Sequence, residues 1–475
     1  MVSSAIGFVE AYGGWSDADR AAAAAAIERT RKLGLSTIRI SFADQHGIFR
    51  GKTIVARQLE QAFRDGITMT SSLLLKDTSH RTVFSVWAAD AGAGAGALTG
   101  ARDIIMVPDP HSFRVLPWAE GTGWLQGEVY RTDGTPLPFT GRPLLRQALS
   151  RLEERGYCLT TGLEVEFHVF RSDTDSNTDS NTGTGANPLL ARGFQYLTED
   201  RYDQLQPILD GVLAAAEAIE LPVRTLESEF GPSQCEVTFD ARPAMETADT
   251  MVRFRTMVKQ VCRRMGYHAT FMCAPRFDGT MASGWHLHQS LTARASGENA
   301  FASDDGLSTL GAQWVAGLLV HAHAGCIFAA PTVNGYRRYK AHGMAPDRVQ
   351  WSKDNKGAML RVIDHPREAT RVENRTGEPA ANPYLYLLSQ AIAGLDGLTA
   401  ARVLPAPSAT PYDSEASALP TNLGQAIEAL DASGFYRTAL GDDFVDYYVH
   451  LKRAEWQRYL ATISEWEHEE YFATF

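Results

Sequence analysis

Cysteine is scarce in this chain. There are five in 475 residues, at positions 158, 235, 262, 273 and 326, scattered and without a Cys-x-x-Cys pair. That fits thiols kept reduced in a cytoplasm better than a disulfide framework or a thiolate zinc site. No apolar run approaches the ~18 residues that a membrane span needs, and the N-terminus carries no signal-peptide pattern, so a cytoplasmic location without a membrane partner is expected. Positive charge is in deficit too. Against 56 Asp and Glu stand 45 Lys and Arg, a net charge of −11 that argues against a nucleic-acid partner. Neither a Gly-x4-Gly-Lys-Ser/Thr loop nor a protein-kinase signature is present, which removes two common ways of holding a nucleoside triphosphate.

What is present is an ordinary enzyme composition, 44% hydrophobic and 21% charged, on a chain long enough for two domains and a large core. Ser16-Asp17-Ala18-Asp19 reads as a helix start, with the helix running through the alanine tract to about Lys32. Strands are expected over Ser36–Phe42 and from Phe49, joined by a turn at Asp44-Gln45-His46-Gly47. Residues 1–115 therefore form a small α+β domain, with the junction to residues 116–475 among the turn and short-strand signals of 104–137. Further helices are expected at about 143–155, 203–219, 243–265, 307–328, 421–432 and 440–468. The tract Ser172–Asn187 is polar, low in complexity and reads as a surface excursion without chemistry.

Four stretches carry the charged chemistry. Gly162-Leu163-Glu164-Val165-Glu166-Phe167 reads as a strand with both carboxylates on one face. It is either a solvated acidic edge or a site for a hard divalent cation, which takes oxygen ligands. In Glu227–Glu236 a Gly-Pro-Ser turn lets Glu229 and Glu236 face each other. In Ser283–Leu291 the residues His286, His288 and Ser290 alternate, and in Arg371–Arg375 so do Arg371, Glu373 and Arg375. Arg337, Arg338, Lys356 and Arg361 add capacity for phosphate or carboxylate oxygens. Five carboxylates and a histidine exceed what one Mg²⁺ needs, and two or more divalent cations bridging a nucleoside triphosphate is the economical reading.

These stretches, with Asn334–Arg338 and Pro379–Leu385, resemble the glutamine synthetase family in order and spacing over about residues 30–475. The resemblance implies an α+β fold, a small β-grasp N-terminal domain ahead of a catalytic domain built on a curved antiparallel sheet with helices. It implies a homo-oligomer of two stacked hexameric rings, with each active site completed by the neighbour's N-terminal domain. The implied reaction activates the γ-carboxylate of L-glutamate with ATP to γ-glutamyl phosphate, which an amine then attacks. By the same resemblance Glu166, Glu229 and Glu236 match the ligands of the metal beside glutamate. Glu164, His286 and Glu373 match those of the metal that bridges the phosphates, with two or three Mg²⁺ or Mn²⁺ per site. His288 and Ser290 match the nucleotide contacts, Arg361 and Arg371 (with Lys356) the phosphate-holding cations, and Arg338 and Arg375 the arginines that meet glutamate and the moving phosphoryl group.

The sequence departs from the family where ammonium binds. Met344 stands where the family has a glutamate before Ala-Pro, Met69 where it has an aspartate before the N-terminal Ser-Ser, and Met281-Ala282 where it has Asn-Gly. A buried cation without negative partners is costly, whereas methionine packs adaptably on aromatic rings. The expected acceptor is a bulky apolar amine, as in the γ-glutamylanilide and γ-glutamylalkylamide synthetases, with Met344, Met69, Met281 and Trp285 at its pocket. Polyamine conjugation and true glutamine synthesis are the alternatives, and a non-catalytic regulator is disfavoured because all six metal ligands are present.

Overall fold

The computed structural model describes residues 6–172, 188–340 and 342–475, so nearly all of the low-complexity tract falls outside the described residues. Two sheets organise the rest. The first contains β1 (Thr37–Ala43), β2 (Phe49–Val55), β3 (Ile67–Thr70), β4 (Asp103–Pro108), β5 (Arg114–Val115) and β6 (Thr122–Arg131). Its order is β2-β1-β6-β4-β3, with β5 on β6 and β1 parallel to β6. Apolar alternation makes β1 a clean strand, since Ile38, Ile40 and Phe42 point inward and the intervening residues stay partly exposed. Because β6 lies at the middle of this sheet, the strand at 122–131 belongs with the first sheet, beyond the sequence boundary of 115.

The helix at Asp17–Lys32 begins where sequence chemistry places it. Ser16 accepts from the Asp19 amide, and the Asp19 carboxylate takes the Ser16 amide in return, a reciprocal cap.

The second sheet is centred on β7 (Tyr157–Arg171), flanked by β8 (Val223–Ser228), β9 (Gln234–Phe239), β10 (Arg242–Pro243), β11 (Tyr267–Thr270) and β12 (Trp285–Ala293). Beyond a short hairpin of β13 (Ala302–Ser303) and β14 (Gly306–Leu307) come β15 (Trp351–Lys353), β16 (Leu360–Ile363) and β17 (Arg371–Gly377). Its order is β15-β16-β17-β12-β7-β9-β8, with β10 and β11 both on β7. Every pairing in it is antiparallel except β15 with β16.

Helices Gly141–Glu154, Ala244–Arg264 and Pro383–Thr399 pack with this sheet. The last is buried almost all round, and its start is fixed by Asn382, whose side chain accepts from the Tyr384 and Leu385 amides ahead of a proline at the first helical position. Asn382 also donates to the Asp44 and Gln45 carbonyls, tying the β1–β2 turn to the second sheet's helix. The expected helix at 307–328 is broken at His321 into Thr309–Val320 and Ala322–Ala329. There the imidazole stacks on Phe435 and pairs with Asp396 at 2.8 Å. The C-terminal helical region divides similarly, into Gly434–Leu440, Asp442–Leu460 and Glu465–Tyr471. Among the described residues no single helix is long and apolar enough to cross a membrane.

Candidate active site

Strand register assembles the site. Directly opposed residues are Arg361 with Glu373 across β16–β17, Glu373 with His288 across β17–β12, His286 with Glu164 across β12–β7, and Glu166 with Glu236 across β7–β9. Opposed residues share a face, as do residues two apart on one strand, so these side chains form one row across five strands. Glu229 joins from the turn between β8 and β9. There Ser233 takes φ +56°, and the Gly231 amide donates to the Gln234 side chain at 3.0 Å. Gln234 in turn donates to Glu166 at 3.0 Å and orients that carboxylate.

Ligand atoms of Glu166, Glu229 and Glu236 lie within 4.8 Å of one another, as do those of Glu164, Glu236 and His286, and of Glu164, His288 and Glu373. His286 Nδ1 is 2.7 Å from Glu164 and 3.6 Å from Glu373. Neighbouring ligands of an octahedral Mg²⁺ at ~2.1 Å stand about 3 Å apart, so this spacing fits a hard cation. The electrostatics point the same way. Burial, with Glu229 beside it, pushes the Glu166 carboxyl up to about 8. Burial and the surrounding glutamates push Glu236 up to about 10. Glu229 is raised too, mainly by burial. Carboxylates crowded this way ionise together at neutral pH only with positive charge between them, which is what a divalent ion provides.

The other half of the row is already compensated. Burial would raise Glu164, but it accepts from His286 and from His288 at 3.1 Å and is held below the usual carboxylate range. Glu373, fully buried, accepts from Arg361 at 3.1 Å and from Arg375; burial would raise it, but His286, Arg375 and His288 hold it below the usual carboxylate range. His286 is lowered to about 4 by burial and the Arg375 guanidinium, so the imidazole is neutral. Arg338 Nη2 lies 2.9 Å from its Nε2, which places the ring proton on Nδ1 toward Glu164 in the absence of a cation.

Beside this row opens a cleft of about 1100 Å³, lined by His288, Ser290, Arg361 and Arg371 together with Arg224 and Asn299. Arg371 donates to His288 Nδ1 at 3.3 Å and to the Ala369 carbonyl at 3.0 Å. Its guanidinium pKa is lowered by burial and by Arg361, the state of a cation that gains from an incoming anion. The cleft is large enough for a nucleotide and carries cations at its inner end.

Several sequence-derived positions lie elsewhere. Trp285 is fully buried and packs edge-on against Tyr386 at 5.0 Å. Strand alternation turns it to the opposite face from His286, so it belongs to the core and not to an amine pocket. Met69 is also a core residue, opposite Ile104 on β3, because that strand points Thr68 and Thr70 outward instead. Lys356 is exposed on the β15–β16 turn, does not line the cleft, and acts electrostatically on Glu229. Met281 and Met344 do lie at the site's edge. Met281 packs against Gly231 beside Glu229, and the Met344 carbonyl accepts from Arg375 at 3.2 Å. Sequence reasoning missed Gly284, where an added Cβ would come within 2.5 Å of Arg338 Nη2, so a glycine there admits the guanidinium. Its signal was the small residue just before Trp285-His286.

Residues 139–471 match the family model described as glutamine synthetase, catalytic domain. The chain belongs to the glutamine synthetase family. Across 99% of both chains it is 38% identical to a γ-glutamylanilide synthase of Acinetobacter sp.. It is 31% identical to a γ-glutamylethanolamide synthetase of Streptomyces coelicolor, over 91% of this chain and 92% of that one. Among solved structures it resembles the apo form of a protein called GmaS, with a TM-score of 0.80 and 28% identity over 94% of this chain and 99% of that chain. Like other glutamine synthetase family members, the protein is a mixed α/β enzyme with a curved catalytic sheet and acts as an ATP-dependent ligase.

Proposed function

We propose that the protein joins the γ-carboxylate of L-glutamate to a bulky apolar amine, using ATP and passing through γ-glutamyl phosphate. The observation that carries the acceptor is Met344, an uncharged side chain 60% exposed whose backbone is anchored to Arg375. Its position gives an incoming amine no counter-charge, so an ammonium ion is poorly served there and a neutral amine well served. The likeness to synthases named for anilide and ethanolamide products supports an amine other than ammonia.

In this reading His288, Ser290, Arg361 and Arg371 hold the nucleotide in the 1100 Å³ cleft. Glu166, Glu229 and Glu236 form one cation site, and Glu164, His286 and Glu373 another. Two or three Mg²⁺ or Mn²⁺ ions, when bound, would supply charge neutralisation for the phosphates. Arg338 and Arg375, 6% and 3% exposed, orient the glutamate carboxylate and meet the developing charge on the transferred phosphoryl group. A γ-carboxylate oxygen bonds to the γ-phosphorus as ADP leaves. The amine nitrogen then bonds to the acyl carbon, phosphate leaves with that oxygen, and the amine gives up a proton. Aromatic amines are largely unprotonated near neutral pH, so no base is needed before attack.

A homo-oligomer of two hexameric rings accompanies this reading. Supporting it, the C-terminal end exposes Ile463 (80%), Trp466 (60%) and Phe472 (76%), apolar surface that a neighbouring copy would cover.

The activation step is tested with L-glutamate labelled by ¹⁸O in its γ-carboxylate. Each phosphate released during ligation is expected to carry one labelled oxygen. Phosphate free of label while amide forms would rule out γ-glutamyl phosphate.

A further inference from the structure

Next to the acidic triad stands a pair of aromatic rings that the reaction described above leaves unused. Phe194 and Phe230 stack with ring centroids 5.3 Å apart and planes 28° from parallel. They remain 50% and 44% exposed. Phe230 directly follows Glu229, and its own amide donates to the Glu229 carboxylate. The stack is held from behind by main-chain bonds, Gln195 N to Phe230 O and Leu197 N to Ser228 O, each 3.3 Å.

Tyr196, between those two bonds, is 47% exposed, and its phenol is pushed up to about 12 by burial and by Glu229 and Glu236. The loop at 279–281 closes the other side. A Cβ on Gly279, which takes φ +78°, would lie 3.4 Å from the Phe194 ring. A Cβ on Gly231 would come within 2.9 Å of Met281 Cβ. Two rings fixed in place with about half their surface in water forgo hydrophobic free energy that a third apolar group would recover.

We propose that Phe194 and Phe230, flanked by Tyr196 and Met281, form the acceptor wall and that the acceptor is an aromatic primary amine. Its ring stacks on the phenylalanine pair, and its nitrogen points to the Glu229 end, where the activated γ-carboxyl group is formed. This rests on the γ-glutamyl ligase reading and narrows its acceptor from bulky apolar amines to aryl amines. Stacking favours a flat ring over a branched alkyl group or an aminoalcohol of similar size, since only the ring has a π-face to offer. An arylamine nitrogen is also neutral near pH 7, so it can approach without a carboxylate dedicated to it.

The test uses the purified full-length protein with saturating ATP and L-glutamate and compares kcat/KM for aniline, isopropylamine and ethanolamine. Wild type is expected to favour aniline. F230L and F194L are expected to lower kcat/KM for aniline about tenfold, through KM, as a lost ring contact would. Isopropylamine and the KM for glutamate should stay within about twofold, and F230Y should retain aniline turnover. Both positions are exposed, so the variants are expected to fold as wild type does. A wild-type preference for isopropylamine, or an aniline-to-isopropylamine ratio unchanged in both leucine variants, would overturn the aryl wall while leaving the ligase reading intact. A wild-type protein that ligates none of the three amines would overturn the ligase reading and the wall with it.

Discussion

Glu373→Gln is expected to lower kcat/KM for ATP-dependent ligation on the order of 1000-fold, whichever amine is supplied. Glu373 is fully buried, accepts from Arg361 and Arg375, and stands 3.6 Å from His286 Nδ1. Glu373 thus links a cation of the cleft, Arg361, to a proposed ligand of the second cation, His286. Glutamine keeps the shape and removes the charge. It thereby weakens a metal site and releases two guanidiniums that the carboxylate had fixed. Arg361 keeps Asp354 as a partner, but Arg375 is buried, and leaving it without the Glu373 charge costs about 3–5 kcal/mol of stability, so circular dichroism and a melting curve accompany the assay. Glu373→Asp retains the charge one methylene further back and should recover part of the activity. Turnover near wild type in a folded E373Q would show that the acidic row is not the reacting centre.

Met344→Glu is expected to raise the ratio of ammonium to arylamine turnover by about tenfold or more. The residue is 60% exposed at φ +56°, a conformation that methionine and glutamate tolerate alike, so the exchange should change stability by no more than about 0.5 kcal/mol. A carboxylate at this position gives NH₄⁺ the partner it lacks and sets a charge where an apolar amine would approach. The check is competition between ammonium and aniline at equal concentration, with both products quantified by mass. An unchanged ratio in an active variant would mean that acceptor choice is made elsewhere, with the Phe194–Phe230 pair the next position to examine.

The individual strands of the catalytic sheet were legible because alternation is a local property. Glu164 with Glu166, His286 with His288, and Arg371 with Glu373 each advertise a shared face within a few residues. Which strand lies beside which is not local. The pairings Glu166–Glu236 and His288–Glu373 join segments 70 and 85 residues apart, and only the resemblance of the motifs to a family placed them together. Trp285 was misjudged because an aromatic residue adjacent to a histidine in sequence lies on the opposite face once the segment is a strand. Met69 was misjudged on a strand only four residues long, too short to declare which face is inward.

Strand β6 was not set apart from the turn and short-strand signals of 104–137, among which Gly123 in fact accommodates Ile38 and Phe113. The helix Pro383–Thr399 was missed for a different reason. Burial on all sides leaves no polar face, and without one the 3.6-residue period disappears. The Phe194–Phe230 stack joins residues in two loops, where neither period applies.

The most direct measurement is phosphate release from ATP by the purified protein with Mg²⁺ and L-glutamate across a panel of ammonium, aniline, isopropylamine, ethanolamine and spermidine, with mass detection of each γ-glutamyl product. γ-Glutamylanilide is the expected leading product, with little turnover of ammonium or spermidine and no phosphate release beyond background when glutamate is omitted. Turnover led by ammonium or spermidine, with aniline at background, would contradict that expectation.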